Sequence, residues 1–157
     1  PPAGQLLVAN AHEEVKAALR ELRDLVRGIH PVILEDRGLD AALSAVVARS
    51  NIPVALEVAT EPRPSPAVES AAYFIVCEAV TNIIRHSAAS RASVDIATDG
   101  SVLRIHVHDD GRGGADPTGG SGLAGLAERV DALGGTLTIE SPSGGPTDMR
   151  VEIPCAS

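Results

Sequence analysis

The chain is nearly devoid of aromatic side chains: one Tyr, one Phe and no Trp in 157 residues. Its core must therefore be packed from Ala, Val, Leu and Ile, and a row of stacking platforms for single-stranded nucleic acid is excluded. Positive charge is scarce too. Thirteen Lys and Arg stand against 21 Asp and Glu, a formal net charge of −8. A surface that gains affinity by neutralising backbone phosphates carries the opposite balance, so nucleic acid is not expected as a direct partner. The two cysteines, Cys77 and Cys155, offer neither a disulfide framework nor a metal-ligand spacing. Cys77 lies in an apolar helical run and reads as a small buried hydrophobe. No apolar run approaches the ~20 residues needed to span a bilayer, and no secretory signal is visible. The chain opens Pro1-Pro2-Ala3-Gly4 rather than with Met, as expected of a piece of a longer protein.

What is present suffices for one globular domain: 44% hydrophobic and 22% charged residues, an ordinary balance for a packed core. Apolar residues recur at helical spacing from about Asn10 to Gly28, where Gly28 and Pro31 stop the run. Ile29 to Leu34 is expected to be extended or irregular, because a residue before proline avoids the helical region. A second helix is predicted from Leu39 to Arg49, and a strand from Val54 to Val58. The proline-rich loop Glu61–Pro66 ends in Ser65, a plausible cap, with Pro66 in the first turn of a helix spanning about 66–88. Strands at 92–97 and 102–107 flank Asp99-Gly100, a two-residue hairpin signal. Residues 111–121 form a glycine-rich loop. A helix at 123–133 ends at Gly134-Gly135, and strands at 137–140 and 149–153 meet around Gly144-Gly145-Pro146. The order predicts an α+β sandwich: one mixed sheet with helices on one face.

Three features carry chemistry. Glu78, Asn82, Arg85 and His86 are predicted on one stripe at the edge of the long helix's apolar face. A carboxylate and an amide oxygen one turn apart suit Mg²⁺, a hard cation that keeps waters, while Arg85 and His86 suit phosphate oxygens. Taken alone, the stripe also reads as a solvated face. Asp109-Asp110-Gly111-Arg112-Gly113-Gly114 ends a strand in an acid able to accept from a purine amine, followed by glycines that let the backbone turn and approach a ligand. Gly120-Ser121-Gly122-Leu123 opens a helix whose bare N–H groups form an anion cradle. It is neither a Walker A loop nor a dinucleotide-binding turn. Each feature alone has an ordinary structural reading; together they point to a Mg-ATP site.

In this order the residues resemble the histidine-kinase branch of the GHKL ATPases, which includes gyrase, Hsp90, histidine kinases and MutL. Glu78-x-x-x-Asn82-x-x-x-His86 resembles the N box, Asp109-x-Gly111-x-Gly113 and Gly120-x-Gly122-Leu123 the two glycine boxes, and Gly134-Gly135-Thr136-Leu137 the segment that completes the adenine pocket. Gly122-Leu123-x-Gly125-Leu126-x-Glu128-Arg129-Val130 is close to the NarL/DesK-like form. Gly28-Ile29-His30-Pro31-x-x-Leu34-x-x-Arg37-Gly38-Leu39 resembles that subfamily's junction between dimerisation helix and catalytic domain. The resemblance implies a Bergerat-type sandwich at 39–157, preceded at 1–38 by the end of a dimerisation helix and its junction. It implies that Asn82 ligates Mg²⁺ and that Glu78 acts in phosphotransfer. Arg85 and His86 then touch phosphates, and Asp109 binds the adenine amine with help from Thr136. Gly111 and Gly113 hinge a lid, while Gly120, Gly122 and Leu123 face the nucleotide.

The same resemblance implies transfer of the ATP γ-phosphoryl to a histidine, relay to a response-regulator aspartate, and a homodimer in the full-length protein. The catalytic portion would be cytoplasmic, attached to a membrane only through upstream segments. The phosphoacceptor segment itself is missing. His12-Glu13 is its nearest imitation but lacks the preceding basic-acidic run and lies too close to Pro31, and His30 belongs to the junction. A serine kinase of the anti-sigma type and a nucleotide-binding module without turnover are the alternatives. His106 and His108 share one strand face, and with no third ligand nearby they read as residues of an exposed sheet face rather than a Zn²⁺ site.

Overall fold

The computed structural model describes residues 31–115 and 121–155. The helix predicted at 10–28, His12, His30 and Gly120 lie outside them.

The first described helix, α1 (Val32–Val47), starts earlier than the extended reading of residues 29–34 allows. The proline restriction acts on the residue before Pro31, whereas the residues after it are free to wind, with proline well placed just ahead of a helix. Gly38 bends α1 at φ 77°, ψ −173°, so the division expected between residues 38 and 39 falls at a bend inside one helix. The bend interrupts the hydrogen-bond ladder, and the Arg63 guanidinium takes up the carbonyls on its N-terminal side. Nη2 donates to Leu34 O at 2.7 Å and to Glu35 O at 3.1 Å. Arg63 is itself held by Glu69, with Nε to Oε1 at 2.9 Å and Nη2 to Oε2 at 2.8 Å. Glu69 is buried, and this fork-to-fork pairing satisfies its charge.

Strand β1 (Val54–Ala59) leads through that loop into α2 (Pro66–Asn82). Ser65 caps α2 as predicted, its side chain accepting from Val68 N, with Pro66 in the first turn. Helix α2 crosses over to β2 (Ala92–Thr98), which lies parallel to β1. A hairpin returns as β3 (Val102–Asp109). Its connection comprises residues 99–101 rather than two residues. Asp99 Oδ1 accepts from the N–H groups of Ser101 and Val102, and this extra turn of chain is closed by Gly100 at φ 88°. Then come α3 (Ser121–Asp131), β4 (Thr136–Glu140) and β5 (Thr147–Pro154). The sheet order is β1-β2-β3-β5-β4, antiparallel everywhere except β1 with β2.

Alternation sends Val94, Ile96, Leu103, Ile105, Val107, Val151 and Ile153 to one buried face, against α2 residues such as Ile75, Val76 and Val80. This is the α+β sandwich predicted from the pattern. Together with the π-turn at its C-terminal end, α2 forms a 22-residue helix, Pro66–Ser87. By length and composition it is apolar enough to cross a membrane, contrary to the run-based expectation. Half of its most apolar window is buried inside the fold, so it serves here as the core helix.

Candidate functional site

The α2 helix leaves only one side half-buried. Phe74, Glu78 and Asn82 succeed one another along it at intervals of four, which stacks them on a single stripe. The first turn of α3 lies against this stripe. A side chain at Gly122 would place its first carbon 2.6 Å from Glu78 Oε1 and 3.7 Å from Asn82 Nδ2. With Glu78 where it stands, only glycine fits here, and the approach brings the second glycine-rich motif onto the Glu-Asn pair. Leu123, next along, is partly buried on the core.

Beyond Asn82 the helix widens into a π-turn, Ile83–Ser87, closed by Ala88 at φ 53°. A π-turn carries more residues per turn than an α-helix, so side chains on it and beyond it are rotated about the axis. Arg85 and His86 are exposed on this turn, which takes them out of register with the ideal α-helical stripe. Ser87 is buried; its hydroxyl donates to Ile83 O at 2.8 Å and accepts from Ala89 N at 3.0 Å.

Asp109 closes β3 and is 3% exposed. Its Oδ1 accepts from Gly111 N at 2.9 Å. A side chain on Gly111 would run into Asp109 Oδ1 and Ser87 O, and into Ser87 Cβ at 2.7 Å. The turn after Asp109 is thus clamped over the π-turn, with Arg112 N donating to Ser87 O at 2.8 Å and Arg112 Nε to His86 O at 3.1 Å. Gly113, at φ 58°, packs under the carbonyls of Pro142 and Gly145, and Gly144 N reaches Arg112 O at 2.7 Å. The expected hinge at Gly111 and Gly113 therefore meets close packing at both positions. Asp110 faces the other way. It accepts from Ser90 Oγ at 2.6 Å, Ser90 N at 2.8 Å and Arg91 N at 3.0 Å. The Ser90 hydroxyl first, then the Arg91 and Ser90 amides, hold its carboxyl down at about 2.

Thr136 does not join this group. It pairs with Glu152, which pairs with Arg104, and all three side chains are exposed on the open face of the sheet. The register instead sets Thr147 directly beside Asp109, on the same sheet face, with its hydroxyl 2.8 Å from Ser141 Oγ. Thr147 and Ser87 are the residues that motif reading missed. The signal for Thr147 was its place at the head of the last strand, just after the Gly-Gly-Pro turn; nothing local marked Ser87.

His106 and His108 lie on the open face, sharing Asp148 Oδ1 at 2.7 and 3.4 Å. The contact with His106 holds the Asp148 carboxyl below its usual range, and that with His108 adds to it, against the opposing effect of burial. Among the described residues no cluster of three His, Cys, Asp or Glu could hold a metal ion. A Glu-Asn pair beside a bare helix N-terminus fits a cation that shares its shell with phosphate and water. A buried acid beside a turn with no room for a side chain fits a flat base that donates from an amine. The chain's own residues thus match a Mg-nucleotide.

A family model described as histidine kinase-, DNA gyrase B- and HSP90-like ATPase matches residues 67–157. The sensor histidine kinase YxjM of Bacillus subtilis is 32% identical over 151 residues, 94% of this chain and 37% of that protein. The nitrate/nitrite sensor protein NarQ of Escherichia coli is 30% identical over 153 residues, 91% of this chain and 27% of NarQ. Among solved structures, the blue-light activated histidine kinase of Erythrobacter litoralis EL346 matches 75% of this chain and 44% of that chain, with TM-score 0.60 and 26% identity. The Acinetobacter baumannii histidine kinase AdeS, at 16% identity, shares the fold over 94% of this chain and 82% of its own, with TM-score 0.61. The chain belongs to the histidine kinase-, DNA gyrase B- and HSP90-like ATPase family and spans about a third of the length of the curated sensor kinases it matches.

Proposed function

We propose that this domain binds ATP with Mg²⁺ and transfers the γ-phosphoryl to a histidine outside the chain, for relay to a response-regulator aspartate. The observation that carries this reading is the seating of Gly122 on Glu78 and Asn82, with Asp109 buried at the neighbouring strand end.

In this reading the Asp109 carboxylate accepts from the adenine amine, and Thr147 rather than Thr136 supports it. Asn82 ligates Mg²⁺ through its side-chain oxygen. When bound, Mg²⁺ offsets the negative charge of the phosphate oxygens. Backbone N–H groups at the start of α3, near Gly120, Gly122 and Leu123, meet phosphate, and Arg85 and His86 approach it from the π-turn. The bond between the γ-phosphorus and the bridging oxygen breaks, ADP leaves with the electron pair, and a bond to an imidazole nitrogen forms. Glu78 orients that imidazole or takes its proton. The protein contributes chiefly position and charge stabilisation. In this reading residues 1–38 belong to the dimerisation segment and junction, and the full-length protein works as a homodimer. Its catalytic portion is cytoplasmic.

The test mixes this chain with a separate protein carrying the subfamily's phosphoacceptor helices and labelled ATP. Acid-labile label on histidine is the expected result; acid-stable label, or binding without transfer, overturns the assignment. Asn82→Ala is expected to weaken nucleotide binding in Mg²⁺ far more than in EDTA, measured by calorimetry. Equal losses would remove Asn82 from the metal.

A further inference from the structure

Both aromatic residues of the chain lie side by side on α2. The rings of Tyr73 and Phe74 meet edge to face, centroids 5.4 Å apart at 74°, and the Arg129 guanidinium of α3 stands 5.1 Å from the Phe74 centroid. Phe74 is one turn before Glu78 on the stripe that receives Gly122. Helix α3 is therefore tied to α2 at two levels: by backbone approach at Gly122, and by a cation on a ring at Arg129.

The second tie matters because α3 is intrinsically weak where it meets the site. Gly122 and Gly125 both sit in its first turns, and glycine is a poor helix former. A side chain at Gly125 would touch nothing. Leu126 and Val130 are the buried apolar anchors of α3. These apolar contacts hold α3 on the core. A guanidinium over a ring face adds a directional contact, and the Phe74 ring that receives it is itself packed edge to face with Tyr73.

We propose that Arg129, stacked on Phe74, is a positioning residue for triphosphate binding: it fixes α3 along α2 so that the helix start stays seated on Glu78 and Asn82. This rests on the nucleotide-site reading above. It predicts a loss confined to the phosphate end, because the adenine end is built from β3 and the turn after it.

The experiment measures Mg-AMPPNP affinity by calorimetry and adenosine affinity by NMR titration, on the full chain and four variants. Arg129→Met and Phe74→Leu are expected to weaken Mg-AMPPNP about 2- to 5-fold, the range of an exposed cation–π contact, and to leave adenosine unchanged. Arg129→Lys and Phe74→Tyr, which keep a cation over a ring, are expected to stay closer to the wild-type chain than those two. Wild-type-like AMPPNP affinity in Arg129→Met overturns the proposal, as does an equal loss for both ligands, which marks a merely structural contact. Should Arg129→Met fail to fold, Phe74→Leu read against Phe74→Tyr carries the same test. A wild-type chain that binds no nucleotide sinks the site reading and this proposal with it. Binding that is indifferent to all four variants sinks this proposal alone.

Discussion

Two glycines of the site test opposite things. The missing side chain of Gly111 faces the main chain at Ser87 O, which cannot swing aside. Gly111→Ala is expected to cost about 1–3 kcal/mol of stability through overpacking, measured by urea unfolding. Gly122 faces the tip of Glu78, which can rotate away. Gly122→Ala is expected to fold with an undiminished Tm but to push Glu78 out of place and weaken Mg-AMPPNP binding by calorimetry. At the strand end, Asp109→Asn replaces a charged acceptor with a neutral amide. A charge-assisted hydrogen bond of ~1.5–3 kcal/mol is lost, so ATP affinity should drop roughly 10- to 100-fold by calorimetry; near-wild-type affinity would remove Asp109 from the adenine role. These residues were legible beforehand because glycine and a terminal acid leave local traces in a sequence. Thr147 left a weaker one. Two threonines each come after a glycine-containing turn, and only the β3–β5 register, a contact distant in sequence, shows which of them shares a face with Asp109.

At the scale of elements, the Arg63–Glu69 fork joins three pieces: the bend of α1, the loop after β1 and the first turn of α2. Glu69 is buried while the Arg63 side chain is about half exposed. Removing the arginine therefore strands a carboxylate, while removing the carboxylate leaves an arginine that water can reach. Arg63→Met should lower Tm more than Glu69→Gln, and the double variant should lose less than the sum, as partners in one unit do. Additive losses in thermal melts would show that the two act separately. None of this was legible. Arg63 sits in a proline-rich loop and Glu69 comes just after a helix cap, both ordinary places for exposed charge. The π-turn escaped for a similar reason: apolar spacing predicts that a helix continues but not that its last turn widens. From β1 onward, element types and order among the described residues, by contrast, came directly from alternation, caps and glycine stops.

For the whole molecule, acid sensitivity is set partly by Asp110, which pins the entry of β2 to the exit of β3. Its folded carboxyl titrates at about 2, below the roughly 3.9 of an unfolded aspartate. The ionised form thus favours the folded state. Its contribution is present above about pH 4 and is lost as pH falls toward about 2. Asp110→Asn should be less stable than the wild-type chain at neutral pH, and the gap should narrow as pH falls from 4, tracked by urea titration at successive pH values. A constant gap would assign the effect to hydrogen bonds alone.

The connection between the two parallel strands is α2 itself, and that same helix presents Glu78 and Asn82. Its amides should exchange with deuterium only when the entire domain opens. The chemistry is therefore mounted on the part of the chain least able to unfold locally. Random mutagenesis selected for lost nucleotide binding will recover α2 variants mostly as absent protein, cleared by proteases, and only rarely as an intact domain.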